Sequence, residues 1–272
     1  MRCSHLNRAL YVKEITVLPQ FIKENETPIY VKQEMVFDIP SKYLTYTHHN
    51  VIQDVFSHFP DNKISRSRVV EVFRKDTLYT AFFAVMIWGG VASCGDMQDN
   101  LSKMLRYPKE DIVSILEKVN SLLIEGKISG AFQYMDTKGE GKIEGLGESY
   151  YTKLFFFLCE ANGHSITTPI FDKWTKLAYI ALKLEQGEES RVIQIVQSVK
   201  GSEVTIKSSH RVQVYEDFVS DMNIWARAIS VSVSNLEEFI FGIDKRYDRT
   251  WSNPRKIFEK KVNEFFAKKL HI

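Results

Sequence analysis

Cysteine is scarce. The 272 residues hold three, Cys3, Cys94 and Cys159, odd in number, far apart and without C-x-x-C spacing. That excludes a disulfide framework, argues against a structural zinc site and points to a reducing compartment. An excess of one charge is lacking too, since 36 Lys+Arg face 34 Asp+Glu for a formal net charge of +2. No global field draws the chain to polyanions, so any nucleic-acid face must be local. Long apolar runs are missing: the longest, Leu78 to Ala92, is too short for a membrane span and carries Thr80. The opening MRCSHLNRALYVKEI has no uninterrupted apolar core of the signal-peptide kind. The expectation is a soluble, cytoplasmic protein with no membrane partner. At 44 % hydrophobic and 12 % aromatic, the chain can bury a substantial core, and disorder and fibrous repeats are excluded.

Periodicity divides the chain. From Leu10 to Pro40, short β-branched runs are broken by Pro19, Pro28 and Pro40, which favours extended segments and a few short strands. From Asn50 to Leu184 apolar residues recur at spacings of three and four, as in VIQDVFSHF, LYTAFFAVMIW and YYTKLFFFL, the pattern of amphipathic helices. Between Arg191 and Val214 two alternating runs flank Gly201, consistent with a β-hairpin or an irregular insertion. Helical pattern returns in VYEDFVSDMNIWARAI and NLEEFIFGI, and a last helix starts near Asn253, with Pro254 suited to its first position. The organisation expected is a mainly α protein. Residues 1–60 form an N-terminal extension with short strands, and residues 61–272 form a helical domain.

From Asp244 to Ile272, nine Lys/Arg (Lys245, Arg246, Arg249, Arg255, Lys256, Lys260, Lys261, Lys268, Lys269) face four acidic residues. This is either the solvated face of a terminal helix or a phosphate-contacting surface. The basic C-terminal helix and the N-terminal segment are also the places where a protein partner could dock.

The chemistry concentrates in DTKGEGKIEGLGESYYTKLFFFLCE, Asp136 to Glu160, where glycine-rich backbone runs into an aromatic-rich helix. Gly145 and Gly147 flank Leu146 just before a helix N-terminus. Such a turn can aim unpaired N–H groups at a phosphate, or can merely connect two helices. Lys153 follows within two turns among Tyr150, Tyr151 and Phe155 to Phe157. It either snorkels to water or is desolvated, and desolvation leaves a neutral amine able to form a Schiff base. Asp172 opens the next apolar helix, as an ordinary cap worth about 0.3–1 kcal/mol or as a partner of Lys153. Trp88, Trp174 and Trp225 are core residues or platforms for stacking a base, with Trp174 nearest to Asp172. His48, His49 and His58 lack metal-ligand spacing, so no metal is expected.

These residues resemble the helix-hairpin-helix DNA glycosylases with the 8-oxoguanine glycosylase fold, in particular a bacterial branch with a Thr/Ser-Lys pair inside the second hairpin helix. Ile143, Gly145, Leu146 and Gly147 occupy the hairpin, Thr152-Lys153 matches the pair, and Asp172 matches the catalytic aspartate. Similarity extends through AVMIWGG and NLEEFIF, over about residues 65 to 270. In the eukaryotic-type enzymes the nucleophilic lysine comes two residues after the last hairpin glycine. Ser149 stands there in this chain, and Lys153 lies one helical turn further on the same face.

The resemblance implies that a flipped nucleotide enters a pocket with Ser149, Phe157 and Trp174 among its walls. Lys153 then displaces a damaged or modified guanine, and Asp172 stabilises the positive charge that develops at the sugar. The Schiff base so formed can cleave the strand, and no cofactor is required. The competing expectation is a nucleobase-recognition or base-modification accessory protein of a bacterial defence system, which keeps the fold and binds DNA or another nucleobase-containing ligand without cleaving it.

Overall fold

The computed structural model describes residues 18–31, 34–91, 97–242 and 253–270. In chain order its elements are α1 (Gln20–Glu24), α2 (Glu26–Tyr30), β1 (Val36–Asp38), α3 (Asn50–Ser57), β2 (Lys63–Ser65), α4 (Arg66–Lys75) and α5 (Leu78–Trp88). There follow α6 (Met97–Leu105), α7 (Lys109–Ile124), α8 (Ile128–Met135), α9 (Glu148–Asn162), α10 (Lys173–Glu185) and α11 (Glu189–Ile195). The last are β3 (Val196–Lys200), β4 (Glu203–Ile206), α12 (Arg211–Ala228), α13 (Val233–Phe241) and α14 (Pro254–Leu270). The architecture is mainly helical, as the periodicity predicts.

Two helices are apolar on every side and therefore sit inside the others. In α5 every residue from Thr80 to Ile87 is buried, and in α9 every residue from Tyr151 to Cys159. Helix α4 packs on both, α7 closes against α5 and α9, and α8 packs on α12. Aromatic rings fill the space between: Phe132 meets Tyr151 edge-on at 5.2 Å, and Phe171 lies 5.0 Å from Phe218. Helix α10 rests on α13 and α14. Local chemistry sets several helix starts, since Ser65, Thr77, Asp172 and Ser232 each accept a hydrogen bond from a first-turn N–H.

Of the insertion expected near residues 191–214, residues 196–206 form a hairpin, while residues 191–195 continue α11 and residues 211–214 begin α12. Strands β3 and β4 pair antiparallel, with Val199 opposite Val204 and Gly201 at the turn with φ +57°. The N-terminal segment differs from its expected strands. Residues 20–30 form α1 and α2, and β1 is its one strand among the described residues, paired with β2 through Phe37 and Ile64. The prolines mark helix starts here: Pro19 precedes α1 and Pro28 lies in the first turn of α2, where its missing N–H has no helical partner to lose. Phe21, Ile22 and Ile29 join the same buried core as the body. Among the described residues no helix is long and apolar enough to cross a membrane. Cys3, Cys94, Lys245, Arg246 and Arg249 lie outside the described residues.

Candidate active site

Helix α8, the loop over residues 136–147 and helix α9 form the expected hairpin. Gly145 adopts φ +86°, a left-handed conformation that disfavours a side chain, and a Cβ there would also press on Asn100 at 3.0 Å. Leu146 is buried and anchors the turn, its N–H bonded to the Ile143 carbonyl at 3.1 Å. Gly147 caps α9 without a side chain, and a Cβ on it would meet nothing within 4 Å, so its backbone is open to approach. Glu144 and Glu148 flank these glycines and would repel a phosphate if left alone. Each is neutralised from another part of the chain: Lys103 pairs with Glu144 at 3.2 Å, and Arg211 and Lys176 pair with Glu148 at 2.8 and 2.7 Å.

Lys153 is desolvated, not snorkelling: it is 8 % exposed. Its stem passes Gly89, where a Cβ would come within 3.1 Å of Lys153 Cδ. Its Nζ donates to the Ser149 carbonyl at 2.8 Å and lies 5.1 Å from the Tyr150 ring centroid. Burial holds the proton affinity of this amine below that of an ordinary lysine, and Arg66 adds to the effect, while Asp172 and Glu237 oppose it.

Asp172 is both a cap and a neighbour of the amine. Its Oδ1 accepts from the N–H groups of Trp174 (2.9 Å) and Thr175 (3.1 Å), and Thr175 Oγ1 accepts in return from the Asp172 N–H at 2.9 Å, completing a capping box. Oδ2 has no hydrogen-bond partner among the described residues, which leaves it available to a ligand. Asp172 and Ser149 line one cleft of about 350 Å³, with Lys173, Lys176 and the β4 residues Glu203 to Thr205 as other walls. The hairpin insertion thus forms one side of the site.

The two aromatic expectations fare differently. Phe157 is fully buried, edge-on to Trp88 at 5.1 Å and stacked with Phe73 at 6.3 Å, so it is part of the core and not of a pocket wall. Trp174 does stack, but on an arginine: the Arg255 guanidinium lies 4.2 Å from its ring centroid and 4.4 Å from that of Phe241. Trp225 is fully buried in the core. On α14, Lys256, Lys260 and Lys261 pair with Glu259, Glu264 and Glu185, so part of the local basic excess is balanced.

Sequence reasoning missed Arg66, Glu237 and Glu238, all buried. Arg66 pairs with Glu237 and, at 3.1 Å, with Glu238. It also missed Arg211, which joins Glu148 to Asp136. The available signal was weak: an arginine in SRSRVVEVF and two glutamates in NLEEFIF fall on faces that helical periodicity turns inward.

The profile of the family described as "putative 8-oxoguanine DNA glycosylase OGG-like protein" matches residues 30–241. That span takes in the glycine hairpin, Lys153, Asp172 and the Arg66–Glu237 pair, and it stops before α14. Comparison with curated proteins and with solved structures gives no significant match.

Proposed function

The chain belongs to the 8-oxoguanine DNA glycosylase OGG-like family, which points to DNA as ligand and to a glycosylase type of activity, and on that premise we propose an N-glycosylase/AP lyase that uses Lys153 as nucleophile on a damaged guanine such as 8-oxoguanine. The observation that carries this reading is the desolvated amine of Lys153 in the field of Asp172, which lines the adjoining cleft.

The neutral amine attacks C1′ of a flipped nucleotide, and the N-glycosidic bond breaks with its electron pair leaving on the base. A proton passes from Lys153 Nζ towards the departing base, with Asp172 able to relay it. Asp172 also stabilises the positive charge at C1′ before the new C–N bond is complete. The sugar ring then opens, O4′ taking a proton from solvent as its bond to C1′ breaks, and a protonated Schiff base remains. Loss of a C2′ proton to water then expels the 3′ phosphate and nicks the strand. The open backbone at Gly147, with Glu144 and Glu148 neutralised, suits a DNA phosphate.

A recognition-only reading draws on the amine's hydrogen bond to Ser149 and its low exposure. Borohydride trapping separates the two, on duplexes carrying 8-oxoguanine, hypoxanthine, uracil or an abasic site. Wild-type protein should give a covalent adduct with the 8-oxoguanine duplex, and Lys153→Gln should give none while still binding DNA. No adduct from folded wild-type protein on any duplex would remove the enzymatic reading.

A further inference from the structure

Glu237 sits on α13 with 1 % of its surface exposed, and none of the chemistry above uses it. A carboxylate so deeply buried must be matched by a cation or carry a proton. Its partner is Arg66 at the start of α4, which is shared with Glu238 and also donates to Ser234 Oγ at 3.2 Å. Arg66 is buried as well, lying 4.6 Å from the Phe156 ring of α9 and 5.5 Å from Trp88. The residue after Trp88 is Gly89, whose bare backbone makes room for the Lys153 stem. The Arg66 cluster and the Lys153 stem therefore flank the consecutive residues Trp88 and Gly89.

We propose that Glu237, held by Arg66, is a positioning residue that controls whether Lys153 carries a proton. The inference rests on Lys153 being the nucleophile. Ionised Glu237 favours the ammonium form, and protonated Glu237 favours the free amine. The charges that act on Glu237 are Arg66 from α4, Asp172 at the start of α10 and Glu238 beside it. Those acting on Lys153 are Asp172, Glu237 and Arg66. Burial lifts the Glu237 carboxyl to about 7 and lowers the Lys153 amine, so the two titrations approach each other. A proton leaving Lys153 Nζ is then matched by one arriving on the Glu237 carboxylate. The cluster keeps its total charge while the amine becomes nucleophilic.

The test is a ¹³Cε-lysine NMR titration of the full chain without DNA, with the Lys153 signal assigned by its loss in Lys153→Gln. In wild-type protein the Lys153 signal should move in two steps, one of them near pH 7 where Glu237 titrates. Glu237→Gln should abolish that step and lower the remaining midpoint by about half a pH unit or more, and Glu237→Asp should keep two steps. One step in wild-type protein, or identical curves for folded wild type and Glu237→Gln, would overturn the proposal. If Glu237→Gln does not fold, the wild-type and Glu237→Asp curves decide. In trapping assays the acid limb of Glu237→Gln should move to lower pH by the same shift, and an unmoved limb would also overturn it. If no DNA yields an adduct, the glycosylase reading fails and the catalytic use of Glu237 falls with it, whereas its charge coupling to Lys153 is still decided by the titration.

Discussion

The hydroxyl of Thr152 accepts a hydrogen bond from the backbone N–H of Phe171 at 3.1 Å, tying the helix that carries Lys153 to the segment that ends in Asp172. The same hydroxyl donates to the Glu148 carbonyl at 2.9 Å, and Thr152 is fully buried. One side chain thus sets the distance between the proposed nucleophile and its carboxylate.

Thr152→Val should leave the Phe171 N–H buried without a partner, at a cost of about 1–3 kcal/mol. Thr152→Ser should lose less. Urea unfolding gives the stability, and single-turnover trapping at 25 °C should slow about tenfold or more in the valine variant. A valine variant as fast as wild type would show that this tie does not position the site.

Gly89→Ala tests the clearance around Lys153. Gly89 has φ −70°, so alanine brings no backbone strain, but its Cβ would lie 3.1 Å from Lys153 Cδ and 3.1 Å from the Val85 carbonyl. Stability should stay within about 1 kcal/mol of wild type, while trapping falls at least about tenfold because the amine is displaced. Loss of both together would mean that the residue matters to folding alone.

The pH dependence of stability has a definite sign. The Glu237 carboxyl rises to about 7 in the folded protein, against about 4.3 in an unfolded chain. Between these values the folded state holds more protons, so this contribution is full below the unfolded pKa and is lost as pH rises through the folded one. The slope is at most about 1.4 kcal/mol per pH unit. Lys153 acts in the opposite sense: its lowered affinity gives stability present above the unfolded lysine value and lost as pH falls. Urea midpoints measured from pH 5 to 7 should fall for wild type and stay flatter for Glu237→Gln.

Gly145→Ala places a side chain at φ +86° and against Asn100. It should cost about 1–3 kcal/mol, and it should weaken DNA binding more than Lys153→Gln does, because the turn itself is deformed. Equal binding by the two variants would argue against phosphate contact at this turn.

Features that depend on neighbours in sequence were legible. Helical spacing exposed the body, Gly201 the hairpin, and the run from Gly145 to Asp172 the parts of the candidate site, because a turn, a lysine and a cap lie within a few helical turns of each other. Proline misled at the N-terminus, since it both breaks helices and begins them; only packing of Phe21 and Ile29 into the core decides between the two. Glu144 and Glu148 beside the hairpin glycines are a local charge that would repel phosphate, and only the fold brings Lys103, Lys176 and Arg211 to them. Arg66 and Glu237 are alike in this: periodicity turns each inward on its own helix, but only the fold shows that the two distant helices pair them. Phe157 shows that an aromatic near a site cannot be given a face by proximity in sequence.

Helix α10 is held at both ends. Asp172 is locked into its capping box at the start, while at the end Glu185 accepts the Phe21 N–H at 2.9 Å and pairs with Lys261 of α14 at 2.8 Å. The carboxylate is therefore held in one position, and in the proposed reaction the sugar would have to be brought to it. Lys153, on a stem of four rotatable bonds, is joined at its tip to a carbonyl of its own helix. In the proposed reaction Lys153 would have to give up its hydrogen bond at Ser149 before attack, so adjustment to each substrate would fall to the amine and accuracy to the carboxylate.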